Sequence, residues 1–318
     1  MELMHRWSVH SWRGFCSVTE EQTLMQDEIP RKALAHPFLL YGIFAASALD
    51  IATSCRDDTS RAEHYGKIAL RYYNMGSAQF RQQLMYIRSE IIHLLYLHAV
   101  IGACASLAIP PSLATNGIDD PPTLVQRAVT FFNMAIGLTS MLTAHRDKFE
   151  QSLTSVRVVR DLVAGASSHD LSEDDETALR RLTLILRTPQ PQRSAHSSEM
   201  DEKYLKCINR LDLCFRVWSS HTMKGYCLSF PNFCGTQFVA AVSSSDPHAL
   251  LLLMYWGVIL HRSREEFWWI GSLGNELVRE IASVVLPMSL EQKATVTEAV
   301  SWAVRQTEVE KSSGVYTS

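Results

Sequence analysis

The residues of this chain that could do chemistry are its cysteines, its histidines and its paired carboxylates. A structural zinc site commonly uses a C-x2-C pair, and the sequence contains no such pair. Cys207 and Cys214 are seven residues apart, as are Cys227 and Cys234. On a helix, two turns separate the first two thiols by about 10 Å, which is too far for one metal ion. We therefore predict that the protein has no metal site.

Motifs for nucleophilic and nucleotide chemistry are also absent from the sequence. It contains no G-x-S-x-G, P-loop, G-x-G-x-x-G or H-E-x-x-H motif. Helical terpene cyclases hold magnesium and diphosphate with carboxylates one helical turn apart. Asp57-Asp58, Asp119-Asp120 and Asp174-Asp175 all lack the second carboxylate at that spacing. We therefore expect no cofactor and no ionisation of a prenyl diphosphate.

Aromatic and imidazole side chains on apolar segments are the remaining candidates for function. Trp and Tyr combine a large apolar face with one hydrogen-bonding tip, which suits a pocket for an apolar small molecule. A buried imidazole needs a polar partner, so a histidine on an apolar helix can line a cavity. Ordinary core packing is the alternative for each of these side chains. The candidate ligand-binding residues are His93, Tyr96, Phe230, Tyr255, Trp256, His261 and Trp268.

Two carboxylates interrupt otherwise apolar stretches of the sequence. Asp50 follows Ser47-Ala48-Leu49, and Asp212 precedes Leu213-Cys214-Phe215. Either carboxylate could hold a cationic or hydroxyl-bearing ligand, or pair with an arginine.

The elements that must position these residues are helices. Apolar residues recur at spacings of three and four, and no segment alternates as a strand does. We predict an all-α fold, a bundle of helix hairpins enclosing an apolar cavity, in a single domain over residues 1–318 with a flexible loop near 188–200. The predicted helices are 32–55, 61–83, 86–108, 123–143, 148–164, 173–186, 201–223, 246–262, 265–286 and 290–306.

Composition places the chain among folded globular proteins. It has 318 residues, of which 47% are hydrophobic, so it can bury a large core. A net charge of -3 gives nucleic acid no strong attraction. The odd, scattered set of seven cysteines and the lack of a signal peptide predict an intracellular protein, in the nucleus or the cytoplasm. The uncharged segment Ile91–Ile109 is long enough to span a membrane, but its two histidines favour a buried helix.

Three segments together resemble a known protein family. The first is His36-Pro37-Phe38-Leu39-Leu40 leading into Ala45-Ala46-Ser47-Ala48-Leu49, and the second is Tyr72-Tyr73. The third comprises Asp246 to Leu253, Tyr255-Trp256, Leu260-His261-Arg262, Trp268-Trp269, Pro287 and Ser301-Trp302-Ala303. These segments resemble the C-terminal regulatory domain of fungal two-zinc, six-cysteine transcription factors of the sterol-uptake-control type, over most of the chain.

The resemblance implies a helical bundle around a cavity for a sterol-like ligand. The DNA-binding finger of that family is missing, and Asp50 stands where the family often carries histidine. One hypothesis is therefore a regulator-like protein of fungal secondary metabolism that binds an apolar sterol- or terpenoid-like molecule and acts through a DNA-binding partner. The other is a cofactor-independent cyclase, isomerase or cycloaddition enzyme that uses the same cavity. A helical scaffold without a ligand is a third hypothesis. The sequence does not indicate an oligomeric state.

Overall fold

All the regular structure in the described part of the chain is helical. The computed structural model describes residues 1–16, 21–55, 57–114, 121–145, 163–187, 197–220, 224–228, 230–288 and 292–308. The first seven α-helices are α1 (Glu2–Val9), α2 (Ile29–Ala33), α3 (Pro37–Ser54), α4 (Thr59–Leu84), α5 (Ile92–Ala108), α6 (Pro111–Ala114) and α7 (Leu124–Ala144). The other seven are α8 (Glu173–Arg187), α9 (Ser197–Ser219), α10 (Lys224–Cys227), α11 (Phe230–Ser243), α12 (Pro247–Arg262), α13 (Leu273–Val285) and α14 (Lys293–Thr307).

The prediction of an all-α fold is confirmed. The long predicted helices before residue 143 and after residue 173 correspond to helices of the structure, with shifts at their ends. The largest difference is at α13, which begins at Leu273 and not near residue 265, while α3 and α5 begin at Pro37 and Ile92 and not near residues 32 and 86. Turns occupy the stretch from Ser263 to Ser272. Residues 148–162 of the predicted helix 148–164 and residues 188–196 of the predicted loop lie outside the described residues. The predicted loop extended to residue 200, but α9 begins at Ser197.

Side chains that bind free backbone N–H groups mark the starts of α4, α7 and α12. Asp58 accepts a hydrogen bond from the backbone of Arg61 at 2.9 Å, which caps α4. Thr123 and Gln126 form a reciprocal capping box at the start of α7. Asp246 accepts from the backbone N–H groups of the second and third residues of α12. These caps determine locally where each helix begins.

The buried apolar residues form two main clusters that meet at α5. The first cluster packs α1 and α3 against the first half of α5, including Leu94 and Leu95. The second gathers the helices from α7 onward around α12 and includes Ala103 and Leu107 from the second half of α5. A helix that is apolar on all sides belongs in a core. Since α5 is such a helix, it contributes to both clusters.

Helix α12 is the centre of the second cluster. All fourteen residues from His248 to His261 are buried. The helix approaches α13 closely at Gly257, where an added Cβ atom would lie 3.0 Å from Val278 and 3.4 Å from the carbonyl oxygen of Gly274. Small residues at both positions therefore let the two backbones come together.

Helix α3 is the one described single helix that is long and apolar enough to cross a membrane by length and composition. About 61% of it is buried inside the protein, as expected of a core helix. The segment that the sequence suggested as a span forms α5, which has 17 residues.

Candidate functional site

A partly open pocket of about 250 Å³ lies between α5, α7 and the turn that follows α12. Most of its wall is apolar, and short segments on either side of residue 229 complete it. Pockets of this character bind small molecules through apolar contact, with a few polar groups setting orientation. Its wall includes Phe15, Tyr96, Val100, Cys104, Phe131, Ala135, Tyr226, Asn232, Phe267 and Trp269.

Two phenols and one amide are the main polar side chains on this wall. Burial, and secondarily the charge of Glu21, raise the pKa of Tyr96 above its usual value. Burial also raises the pKa of Tyr226, although nearby Arg210 acts in the opposite direction. Both phenols are therefore protonated at neutral pH and can donate a hydrogen bond. Asn232 adds an amide that both donates and accepts.

The one thiol on the pocket wall is unreactive. Burial raises the pKa of Cys104 to about 12, and only the thiolate form is a strong nucleophile. Cys104 therefore acts as a small apolar wall residue at neutral pH.

Of the seven candidate residues from the sequence, Tyr96 lies on the pocket wall. Trp256 is fully buried immediately behind the wall, where its ring stacks on Phe131 at 5.7 Å between centroids. Trp268 is partly buried and donates a hydrogen bond to the carbonyl of Ser11 at 2.9 Å, while its neighbour Trp269 lines the pocket. The candidate Trp268 is therefore the immediate neighbour in sequence of Trp269, which lines the pocket.

The other four candidate residues do not line this pocket. Phe230 packs against Phe132 and Phe238 in the core. Tyr255 packs against Trp302 at 4.7 Å between centroids.

His261 and His93 do not line the pocket. Burial lowers the pKa of His261 to about 4, with the charges of Arg264 and Arg262 acting in the same direction. His93 is half-buried near Lys32 and His36, and burial together with these charges lowers its pKa.

Sequence reasoning missed most of the pocket wall. Phe131, Tyr226, Asn232 and Phe267 are not among the seven candidate residues. Their segments are far apart in the sequence and meet only in the folded chain. The aromatic run Phe267-Trp268-Trp269 was a local signal for the pocket, since two of its three rings line it.

Asp50 and Asp212 both pair with arginines. Arg6 holds the fully buried Asp50 carboxylate with two hydrogen bonds of 2.7 and 2.9 Å, and Ser11 donates a third at 2.6 Å. Arg216 binds Asp212 one turn away on the same helix. Of the two alternatives that the sequence left open, the structure shows the arginine pair.

A groove beside the Asp50 pair is lined by residues of α1, α3 and α4. It measures about 370 Å³ and includes Val9 and Ile51 together with Arg6 and Arg61. The guanidinium of Arg6 already forms an ion pair with Asp50. The groove is lined by charged residues, Glu2, Arg6 and Arg61, whereas no charged residue lines the pocket at α5.

The cysteines after residue 200 come together in the folded chain. Cys234 lies within hydrogen-bonding contact of the Cys207 side chain, and Cys227 donates to the carbonyl of Cys214 at 3.0 Å. Burial raises the pKa of Cys234 and Cys214 well above the usual value. Among the described residues, no group of three or more His, Cys, Asp or Glu side chains is arranged to hold a metal ion.

No protein-family model matches the chain, and no curated protein matches it significantly.

Proposed function

We propose that this chain is a small-molecule-binding, regulator-like protein whose ligand is apolar and occupies the pocket between α5, α7 and the turn after α12. The observation that carries the proposal is the composition of the wall, which is apolar except for Tyr96, Tyr226 and Asn232. Such a wall favours a hydrocarbon skeleton with one or two oxygen atoms. The resemblance to fungal regulators of sterol uptake points to the same ligand class, and to a helical bundle around a ligand cavity.

The pocket volume limits the size of the expected ligand. Drug-sized ligands occupy pockets of about 300 to 1,000 Å³, and a cavity of about 150 Å³ holds benzene. The observed volume of about 250 Å³ lies between these values. We therefore expect a terpenoid-sized molecule to bind without rearrangement, whereas a sterol requires the pocket to widen.

Titration of the purified chain with geraniol, farnesol and ergosterol tests this proposal. Trp269 lies on the wall, so occupation of the pocket changes tryptophan fluorescence. We expect saturable binding of the two smaller alcohols and weaker binding of ergosterol.

Ala135→Phe fills the pocket, because Ala135 lies on its wall. It should abolish saturable binding while the far-ultraviolet circular dichroism stays helical. Ala144→Phe, at an exposed position on the same helix, is the matched control and should bind normally. Equal binding by all three proteins would refute a ligand in this pocket.

A cofactor-independent cyclase, isomerase or cycloaddition enzyme is the second candidate function. The observation that favours it is the pair of protonated phenols on an apolar wall, since such donors can polarise a carbonyl without a metal. In this case Tyr96 or Tyr226 would be the catalytic residue. Shape complementarity of the pocket would supply the orientation of the reacting atoms.

Gene deletion distinguishes the two functions. Loss of a regulator changes transcript levels and leaves no single precursor behind. Loss of an enzyme leaves transcripts unchanged and allows one uncyclised precursor to accumulate. A regulator should also copurify with a DNA-binding protein from the nucleus.

A further inference from the structure

One end of the helical bundle carries a cluster of exposed apolar side chains, which we call the apical tip. Four of them are consecutive at the end of α4: Leu84, Met85, Tyr86 and Ile87 are 39, 69, 83 and 37% exposed. Leu34, directly after α2, is 71% exposed. Scattered exposed apolar residues are normal, but a contiguous group marks an interaction surface.

The two parts of the apical tip lie at the same end of the molecule. The start of α3, the end of α4 and the first half of α5 meet around His98. Its ring lies 5.7 Å from that of Phe38 and 4.9 Å from that of Phe80. After burial, the charge of Arg88 is the next cause of the lowered pKa of His36, and that of Lys32 is the next cause for His93. Each cation therefore lies close to its histidine. The segments around Leu34 and Tyr86 are therefore neighbours.

The charge around the apical tip is opposite in sign to the charge of the whole chain. Residues 31–36 and 81–90 contain Arg31, Lys32, Arg81 and Arg88 but a single carboxylate, Glu90, and all five are exposed. Lys32 forms an ion pair with Glu28 at 3.6 Å, so the three arginines supply the excess positive charge. The chain as a whole carries a net charge of -3. The tip is thus a local basic surface on an acidic protein, and it attracts an anionic partner.

We propose that the apical tip binds the surface of an anionic phospholipid bilayer. Met85, Ile87 and Leu34 would enter the boundary between head groups and acyl chains, and Tyr86 would lie at head-group depth. The surrounding arginines, Arg31, Arg81 and Arg88, would contact lipid phosphates. Nucleic acid is a poorer match, because the exposed apolar side chains would have no place on a phosphate backbone.

Vesicle flotation with the full chain tests the proposal. We expect flotation with phosphatidylcholine vesicles that contain phosphatidylserine, and little with phosphatidylcholine alone. Added salt should weaken it. Arg88→Gln should lower partitioning about fivefold, since one basic residue near an anionic surface contributes that factor. Met85→Ser combined with Tyr86→Ser should lower it about tenfold or more.

Matched controls separate the apical tip from general surface effects. Arg305→Gln removes an exposed charge from α14, and Leu184→Ser removes a 56% exposed apolar side chain from α8. Both should float like the unchanged chain. Equal losses in the controls, or no flotation of the folded chain, would overturn the proposal. Elution as a dimer that the Met85 and Tyr86 changes convert to a monomer, without vesicle binding, would assign the tip to a second copy instead.

Discussion

The carboxylate of Asp50 shows how strongly a single buried charge depends on its partners. Its side chain is fully buried, whereas that of Arg6 is 29% exposed. Removal of one partner from a fully buried pair costs about 3 to 5 kcal/mol, and the partial exposure of Arg6 to water lowers this cost. We expect Asp50→Asn to lower the free energy of unfolding by about 2 to 3 kcal/mol, measured by urea denaturation.

Asp212→Asn provides the control for the Asp50 prediction. Its carboxylate is 37% exposed and pairs with Arg216 one turn away on the same helix. Exposed pairs of this kind contribute about 0.5 kcal/mol or less. Equal losses from the two substitutions would contradict the argument from burial.

His98 should make the stability of the protein depend on pH. Burial lowers its pKa from 6.5 to about 4, with the backbone of Phe38 opposing part of the change. Between these two values the unfolded chain binds a proton on this histidine and the folded chain does not. Stability is therefore lost as pH falls through this window, by about 3 kcal/mol in total.

Urea denaturation at pH 7 and pH 5 in the unchanged chain and in His98→Phe checks this prediction. Phenylalanine keeps an aromatic ring beside Phe38 and Phe80 but cannot titrate. The substituted chain should lose less stability on acidification than the unchanged chain. An identical loss would show that other groups cause the pH dependence.

At the scale of elements, the crossing of α12 and α13 depends on Gly274. A Cβ atom there would lie 2.6 Å from the carbonyl oxygen of Gly257 and 2.8 Å from Cα of His261. Both obstacles are backbone atoms, which cannot rotate away. We expect Gly274→Ala to lower the free energy of unfolding by about 3 kcal/mol or more, measured by urea denaturation.

Gly137→Ala is the matched control for the helix crossing. A Cβ atom at Gly137 meets no heavy atom within 4 Å in the described structure, and the residue is exposed on α7. Alanine is the better helix former, so this change should stabilise the protein by about 0.5 to 1 kcal/mol. Destabilisation by both changes would contradict a specific role for the crossing.

At the scale of the whole molecule, a shared helix and hydrogen bonds between distant segments connect the two apolar clusters. Helix α5 contributes to both clusters. Trp268 and Trp269 donate hydrogen bonds to the carbonyls of Ser11 and Gly14, at 2.9 and 2.8 Å. These contacts tie the beginning of the chain to the turn after α12. The pocket lies where these parts meet.

This arrangement predicts that both clusters unfold together. Urea transitions followed by far-ultraviolet circular dichroism and by tryptophan fluorescence should coincide. Leu95→Ala, in the first cluster, should shift both transitions equally, since Leu95 is fully buried on the shared helix α5. Two separate transitions would show instead that the clusters are independent units.

The amino-acid sequence by itself determined the helices, because apolar periodicity and capping residues act over a few neighbouring positions. The helices predicted to begin at residues 61, 123 and 246 begin at Thr59, Leu124 and Pro247, each directly after a capping side chain. The end of α12 was readable too, but the turn after it was not, because local apolar content resembled a continuing helix.

Only the tertiary structure decided which side chains share the pocket. Contacts between distant segments bring together Tyr96, Phe131, Tyr226 and Trp269. The spacing of residues along the chain does not predict such contacts. The same holds for Asp50, whose partner Arg6 lies 44 residues away. Local physics acts within a helical turn and is visible in the sequence, whereas packing between helices depends on the whole fold.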